Sequence, residues 1–211
     1  MRENLFYRFV VRFGLALMRV MRWTVEVRGE EHIPRTGPAI LAANHVSFLD
    51  FIFIGAGANL RGRLVRFISI ASAFRHPVSG PLMRAMRHIP VERDRDPVRA
   101  LRFAIDALRK GDVVGLHPEG KMNPGFKLEG LKTGAARMAI ESGAPLIPVA
   151  VWGGQAIWTS RRRKLLQRNV RLQVAYGEPL APHEGETVQD LTRRLGEAIE
   201  RLIPRAAAAA A

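Results

Sequence analysis

Short apolar runs at residues 39–43, 64–70, 113–116, 146–151 and 170–176 recur along this chain, with helix-patterned stretches standing between most of them. Strands separated by helices of about ten to fifteen residues select one architecture: an α/β sheet, parallel or mixed, with helices on both faces. Smaller signals refine it. Residues 23–27 alternate apolar and polar and stop at Gly29, and residues 89–92 read as extended because Ile89 precedes a proline. A loop follows from Pro34, Gly37 and Pro38. Helices are expected over about residues 47–58, 79–86, 131–142 and 188–203, and from Pro97 to Lys110, where Gly111 closes the last turn. A length of 211 residues fits one domain with a small attachment. The division read here is an amphipathic helix over 1–22, one domain over 23–205 and an alanine-rich tail over 206–211, a frayed helix end or disorder.

The attachment has its own chemistry. On a helical projection Arg8, Arg12, Arg19 and Arg22 fall within about 80° of one another, and Leu5, Phe6, Phe9, Val10, Phe13, Leu17, Val20 and Met21 occupy the rest. Two placements fit: a helix lying in a lipid interface, or one packed on its own domain with a solvated arginine edge. The width of the apolar arc favours the first. The arginines interrupt any transmembrane span, and no small-residue cleavage site follows as in a secretory signal.

Thirty-three Lys and Arg against nineteen Asp and Glu give +14, so a polyanionic partner is expected. Nucleic acid is disfavoured even with Arg161, Arg162, Arg163 and Lys164 in a row, because no helix-turn-helix, finger spacing or aromatic platform accompanies them. With no cysteine, thiolate nucleophiles and cysteine-ligated metals are excluded. The six histidines show no ligand spacing such as HExxH, so no metal is expected.

Chemistry concentrates where apolar runs end. Asn44-His45-Val46-Ser47-Phe48-Leu49-Asp50 follows one such run, placing His45 on the loop where α/β enzymes hold reactive groups. Asp50 can fold back from the first helical turns, fix the imidazole tautomer and leave the other ring nitrogen to take a proton. Ser47 reads as a helix N-cap or a nucleophile, the cap being favoured. His117-Pro118-Glu119-Gly120 follows another run. Alone it is an ordinary turn, but Lys121, Lys127 and Lys132 follow it, and Arg93 closes the extended piece before it, a set suited to phosphate. Pro148 lies inside an apolar run and belongs at an edge, a bulge or a strand start.

These residues resemble a known family. Asn44-His45 with Asp50 resembles the NHxxxxD motif of the glycerolipid (lysophospholipid) acyltransferases, among them the bacterial 1-acylglycerol-3-phosphate acyltransferases. Ile89-Pro90-Val91-Glu92-Arg93 is similar to the second block, whose arginine is assigned to the acceptor phosphate. Pro118-Glu119-Gly120 is similar to the core of the third, FPEGTRS. Ile147-Pro148-Val149-Ala150 resembles the fourth, and Leu131-Lys132-Thr133-Gly134-Ala135-Ala136 the segment before it.

The resemblance implies transfer of a fatty acyl group from acyl-CoA or acyl carrier protein to a lysolipid hydroxyl, foremost 1-acylglycerol-3-phosphate. His45 is then the general base, Asp50 its charge partner and Glu119 part of the catalytic set. Arg93, Gly120, Lys121 and Lys132 serve the substrates. It implies no bound cofactor, the acyl donor being a co-substrate, and a peripheral place on an anionic membrane surface, at the cytoplasmic face. Two departures stand out. Lys121, Met122 and Asn123 replace threonine, arginine and serine, and His117 replaces the customary phenylalanine. Either Lys121 or Lys132 supplies the missing charge, or the acceptor is another lysophospholipid or a glycolipid. Competing readings are a non-enzymatic basic membrane-surface protein, against which an intact His45/Asp50 pair argues, and a hydrolase using the same base on water.

Overall fold

The computed structural model describes residues 5–92, 96–123, 128, 130–159 and 167–208; Arg93, Lys127 and residues 161–164 lie outside them. Seven strands form one sheet: β1 (Thr24–Arg28), β2 (Ala39–Ala43), β3 (Val65–Ile70), β4 (Ile89–Val91), β5 (Val113–Leu116), β6 (Leu146–Trp152) and β7 (Arg171–Tyr176). Their order is β1-β7-β6-β2-β5-β3-β4. Every pairing is parallel except β6 with β7. The helices are α1 (Leu5–Val20), α2 (Asp50–Leu60), α3 (Ala71–Arg75), α4 (Ser79–Ala85), α5 (Pro97–Arg109), α6 (Gly134–Ser142) and α7 (Val188–Ala208).

The sequence of β2 explains its central place. Ala39, Leu41 and Ala43 join a core with Met18, Met21, Phe53 and Ile54, while Ile40 and Ala42 join a second core with Ala104, Leu108, Met138 and Leu195. All five residues are buried, as expected of a parallel strand covered on both faces. Helices α1 and α2 cover one face, and α5, α6 and α7 the other. The neighbouring strand β5 is tied to β2 at its start: the Arg63 guanidinium donates to the Pro34, Gly37 and Gly111 carbonyls at 2.7, 2.5 and 2.8 Å. With these ends stapled, the far ends of β2 and β5 emerge side by side.

Several expectations need correction. The run at 64–70 is only half buried, with Ile70 45% exposed, because β4 pairs with β3 over just three residues and ends the sheet there. Helix α3, which leaves β3 directly, was not expected. Residues 131–133 do not enter α6; the Lys132 N–H donates instead to the Pro118 carbonyl at 2.8 Å. Helix α7 runs to Ala208, so Ala206, Ala207 and Ala208 extend it, as the high helix propensity of alanine favours. Pro148 sits in a central strand, not at an edge. It is tolerated because the β6–β7 ladder ends there: Gly177 donates to its carbonyl, and a Cβ at Gly177 would press within 2.8 Å of the proline ring.

Helix α1 packs on its own domain and keeps an apolar stripe facing outward. Tyr7 and Met18 are buried, the Tyr7 hydroxyl donates to the Val65 carbonyl at 2.7 Å, and Gly14 lies against Ile52, so the helix packs on the domain. Phe6, Phe9, Phe13, Leu17 and Val20, spaced three or four residues apart, form an outward stripe between 40% and 66% exposed. Arg22 leaves the arginine face because it lies beyond the helix at φ 53°. No helix among the described residues is long and apolar enough to cross a membrane.

Candidate active site

At the end of β2, Asn44 continues the strand with its side chain. Its amide donates to the Val151 carbonyl at 3.0 Å and accepts from the Val151 N–H at 2.7 Å, making one more rung with β6. The chain then turns, and Asp50 closes the turn. One carboxylate oxygen, Oδ2, accepts from the Val46 N–H at 2.8 Å, the Ser47 N–H at 2.9 Å and the His45 ring at Nδ1, 2.9 Å away. Because Asp50 captures the N–H groups of residues 46 and 47, the helix begins at Asp50 and not at Ser47. Ser47 is therefore no helix cap. Its buried hydroxyl donates to the Trp158 carbonyl and accepts from the Leu49 N–H, which leaves it poorly placed as a nucleophile.

Asp50 is fully buried, and burial pushes its carboxyl up, against the Ser47 and Val46 N–H donors. Oδ2 already accepts from two backbone N–H groups, so it meets the ring as an acceptor, which puts the proton on Nδ1 and the lone pair on Nε2. Oδ1 of Asp50 has no hydrogen-bond partner among the described residues. It faces Gly154, in a short turn after β6, where a Cβ would come within 3.2 Å of it and 3.0 Å of Ser47 Cβ. Glycine at this position lets the turn lie close over the carboxylate without crowding it.

The turn after β5 grips the same histidine from the other side. Glu119 is buried, and its Oε1 accepts from the His45 backbone N–H at 2.7 Å; the Asn123 N–H donates to the His45 carbonyl at 2.6 Å. Burial raises the Glu119 carboxyl, and the His45 and Asn123 bonds oppose this. Glu119 thus braces the backbone that carries His45. Gly120 has φ 67°, and Lys132 lies across it: a Cβ there would be 2.9 Å from Lys132 Cε and 3.5 Å from Nζ. Lys121 and Lys132 are exposed at this turn and Met122 is half-buried. The structure therefore gathers His45, Asp50, Glu119, Gly120, Lys121 and Lys132 around two adjacent strand ends. The role expected of Arg93 lies outside the described residues.

Sequence reasoning gave His117 no role. Its ring stacks on that of His45 with centroids 4.1 Å apart and planes 13° from parallel. Its Nδ1 lies 3.0 Å from the Ala43 carbonyl and 2.9 Å from that of Asn44. Carbonyls only accept, so Nδ1 is the protonated nitrogen. The overlooked signal was a second histidine directly after a second strand. His45, Asp50 and His117 are close enough to suggest a cation site. The stack argues otherwise: imidazole binds metal in its ring plane, and nearly parallel planes 4.1 Å apart do not converge on one point.

Known proteins are similar to this chain. A chloroplastic 1-acyl-sn-glycerol-3-phosphate acyltransferase of Arabidopsis thaliana is 28% identical over 79% of this chain and 47% of its own length. A 1-acyl-sn-glycerol-3-phosphate acyltransferase of Bacillus subtilis is 25% identical over 82% of each chain. The chain thus spans less than half of the plant relative and most of the bacterial one. The crystal structure of a 1-acyl-sn-glycerophosphate acyltransferase from Thermotoga maritima shares the fold, with a TM-score of 0.77 at 24% identity over 97% of this chain and 83% of that one. The family described as Acyltransferase matches residues 24–152, more than half of the chain and the stretch holding both strand-end turns, and the chain belongs to that family.

Proposed function

We propose that this acyltransferase moves a fatty acyl group from an acyl thioester, acyl-CoA or acyl carrier protein, to the free hydroxyl of a lysolipid, foremost 1-acylglycerol-3-phosphate to give phosphatidic acid. The observation that carries this reading is the His45 ring, held by Asp50 at 2.9 Å with its basic nitrogen on Nε2. The names of the relatives from Arabidopsis thaliana and Bacillus subtilis support the acceptor. The acceptor hydroxyl gives its proton to Nε2 as its oxygen bonds to the thioester carbon. Charge gathers on the carbonyl oxygen, where a nearby N–H or cation stabilises it. Collapse breaks the carbon–sulfur bond, and the thiolate takes the proton from His45. No residue needs to be acylated.

Half-buried Met122 favours a second acceptor class, a lysophospholipid or glycolipid without a simple phosphomonoester, because it stands where the resemblance places arginine. Mass analysis of products separates the two: purified protein is offered one acyl-CoA or one acyl carrier protein with a panel of lysolipids. Conversion of lysophosphatidic acid to phosphatidic acid is expected. Release of free fatty acid with no acylated lipid sinks the transferase reading in favour of hydrolysis.

The protein works at an anionic membrane surface, with the outward stripe of α1 entering the interface and its arginines meeting lipid head groups. Deleting residues 1–22 is a poor test, since it also strips buried Tyr7 and Met18 from the domain. Phe9→Ser with Phe13→Ser, on the outward stripe, is expected to lower sedimentation with phosphatidylglycerol vesicles while leaving thermal unfolding unchanged. Binding as tight as that of the unaltered chain removes the stripe as the anchor.

A further inference from the structure

We propose that His117 is a positioning residue: a neutral imidazole platform that holds the His45 ring in the orientation needed for proton transfer, a proposal that rests on the acyl-transfer reading. Three observations converge on it. The two rings overlap face to face at 4.1 Å and 13°. The platform is bolted down, because its Nδ1–H is shared between the carbonyls of Ala43 and Asn44, the two residues that lead into His45. Platform and base are therefore fixed to the same piece of backbone, although 72 positions separate them in sequence. Finally, burial holds His117 down to about 4, so it stays neutral while His45 cycles.

The physical need is specific. The Asp50 hydrogen bond at Nδ1 holds one edge of the His45 ring, and a hydrogen bond at a ring edge constrains tilt about its own axis least. A flat surface against one face removes the tilt, so that Nε2 points consistently at the acceptor hydroxyl. A neutral π face also suits the imidazolium that forms as the proton arrives, whereas a second cation at 4.1 Å would oppose it. Small errors of orientation at a proton-transfer centre are costly, which gives such a platform its leverage.

Three variants separate platform from anchor. His117→Ala removes both, His117→Phe keeps a flat ring without the N–H, and His117→Asn keeps an N–H donor without the ring. With a lysolipid acceptor and an acyl-CoA, His117→Ala is expected to lower kcat at least about tenfold with both KM values within about twofold. His117→Phe should recover kcat to within about threefold of the unaltered enzyme, and His117→Asn should stay as low as alanine. Proton NMR of the His45 ring gives an activity-independent readout: the upfield ring-current shift should persist in His117→Phe and vanish in His117→Ala. An unchanged kcat in His117→Ala overturns the proposal. So does recovery by asparagine but not phenylalanine, which would make His117 only a loop anchor, and so does a rise in acceptor KM at constant kcat, which would make it a substrate contact. If the unaltered protein acylates no lysolipid, the acyl-transfer reading fails by itself, while the ring shift still reports whether the stack exists.

Discussion

The turns after β2 and β5 lie side by side at the centre of one sheet, yet they are held together in opposite ways. The first is closed from within: Asp50 reaches back three to five residues to Ser47, Val46 and His45. The second is closed from outside. Glu119 and His117 spend their side chains on residues 73 and 74 positions away, all of them in or beside the first turn. In the proposed reaction the first turn supplies the base, and the second forms the frame that keeps it still. A locally closed turn can be read from spacing alone, but a frame is visible only once the sheet has brought its strands together.

The sharpest way to break this comparison is to remove the reactive group. His45→Ala is expected to lower kcat roughly 10²–10⁴-fold with an unchanged circular dichroism spectrum, because the ring is no core support. Retention of more than about a tenth of kcat would remove His45 from the role of base. Asp50→Asn, which keeps the shape but loses the carboxylate that orients Nδ1–H, should preserve acceptor binding and lower kcat on the order of 10²-fold. An unchanged kcat there would reduce Asp50 to a helix-start residue and make the first turn mere architecture.

Next comes the frame. Glu119→Ala strips the His45 backbone N–H of its acceptor in a buried setting, which costs about 1–3 kcal/mol of stability, read as a lowered thermal midpoint together with a fall in kcat. Glu119→Gln restores an oxygen at the same place and should recover most of both. If glutamine behaves like alanine, the charge of Glu119 matters more than its grip on the backbone, and the second turn holds a second reactive group.

The same contrast explains how much was legible beforehand. The apolar runs of β2, β5 and β6 and the five-residue spacing of His45 and Asp50 were readable because each is a local pattern of burial or reach. The late start of α6 was not: Leu131 and Lys132 have good helix propensity, but Lys132 is claimed by the Pro118 carbonyl across the turn. Asn44 as an extra rung, Gly154 folded over Asp50 and the His117 platform all depend on strand order, which no window of sequence contains. Pro148 misled for the converse reason, since the rule about prolines in sheets speaks of missing donors, and here the ladder had already ended.

pH sharpens the comparison because Asp50 of the first turn and His117 of the second respond in opposite directions. His117 is lowered to about 4 from an unfolded value near 6.5, so the stability it contributes is complete above pH 6.5 and is lost as pH falls through 4, amounting to about 2 kcal/mol at pH 5. The carboxyl of Asp50 is raised, so its contribution is complete below the ordinary carboxylate range and is lost as pH rises through its elevated value. His88, also lowered to about 4 and packed among Tyr7, Phe51 and Phe67, adds to the acid loss. Urea midpoints followed from pH 7 to pH 4.5 should fall for the unaltered chain and fall less for His117→Asn. Parallel curves would mean that His117 is protonated in the fold and that the frame carries charge.

The smallest effects concern what the frame presents to substrate. Both lysines are exposed, but Lys132 lies across Gly120, which keeps its ammonium beside the turn. Lys132→Ala is therefore expected to reduce kcat/KM for a phosphate-bearing acceptor by about tenfold, or roughly 1.4 kcal/mol, and Lys121→Ala to do so less. A lysine neutralises phosphate but lacks the planar fork of arginine, so this site should accept phosphodiester head groups more readily than one with arginine in place of Met122. Met122→Arg tests that directly, since a guanidinium added beside the Glu119 turn should move preference toward lysophosphatidic acid over lysolipids with larger head groups. The readout is the ratio of kcat/KM values for the two acceptors, which is insensitive to how much active protein each preparation contains. If the ratio does not move, and neutral acceptors are acylated as fast as phosphorylated ones by the unaltered enzyme, the frame presents an apolar face at Met122. The second turn then selects the acceptor by shape and not by charge.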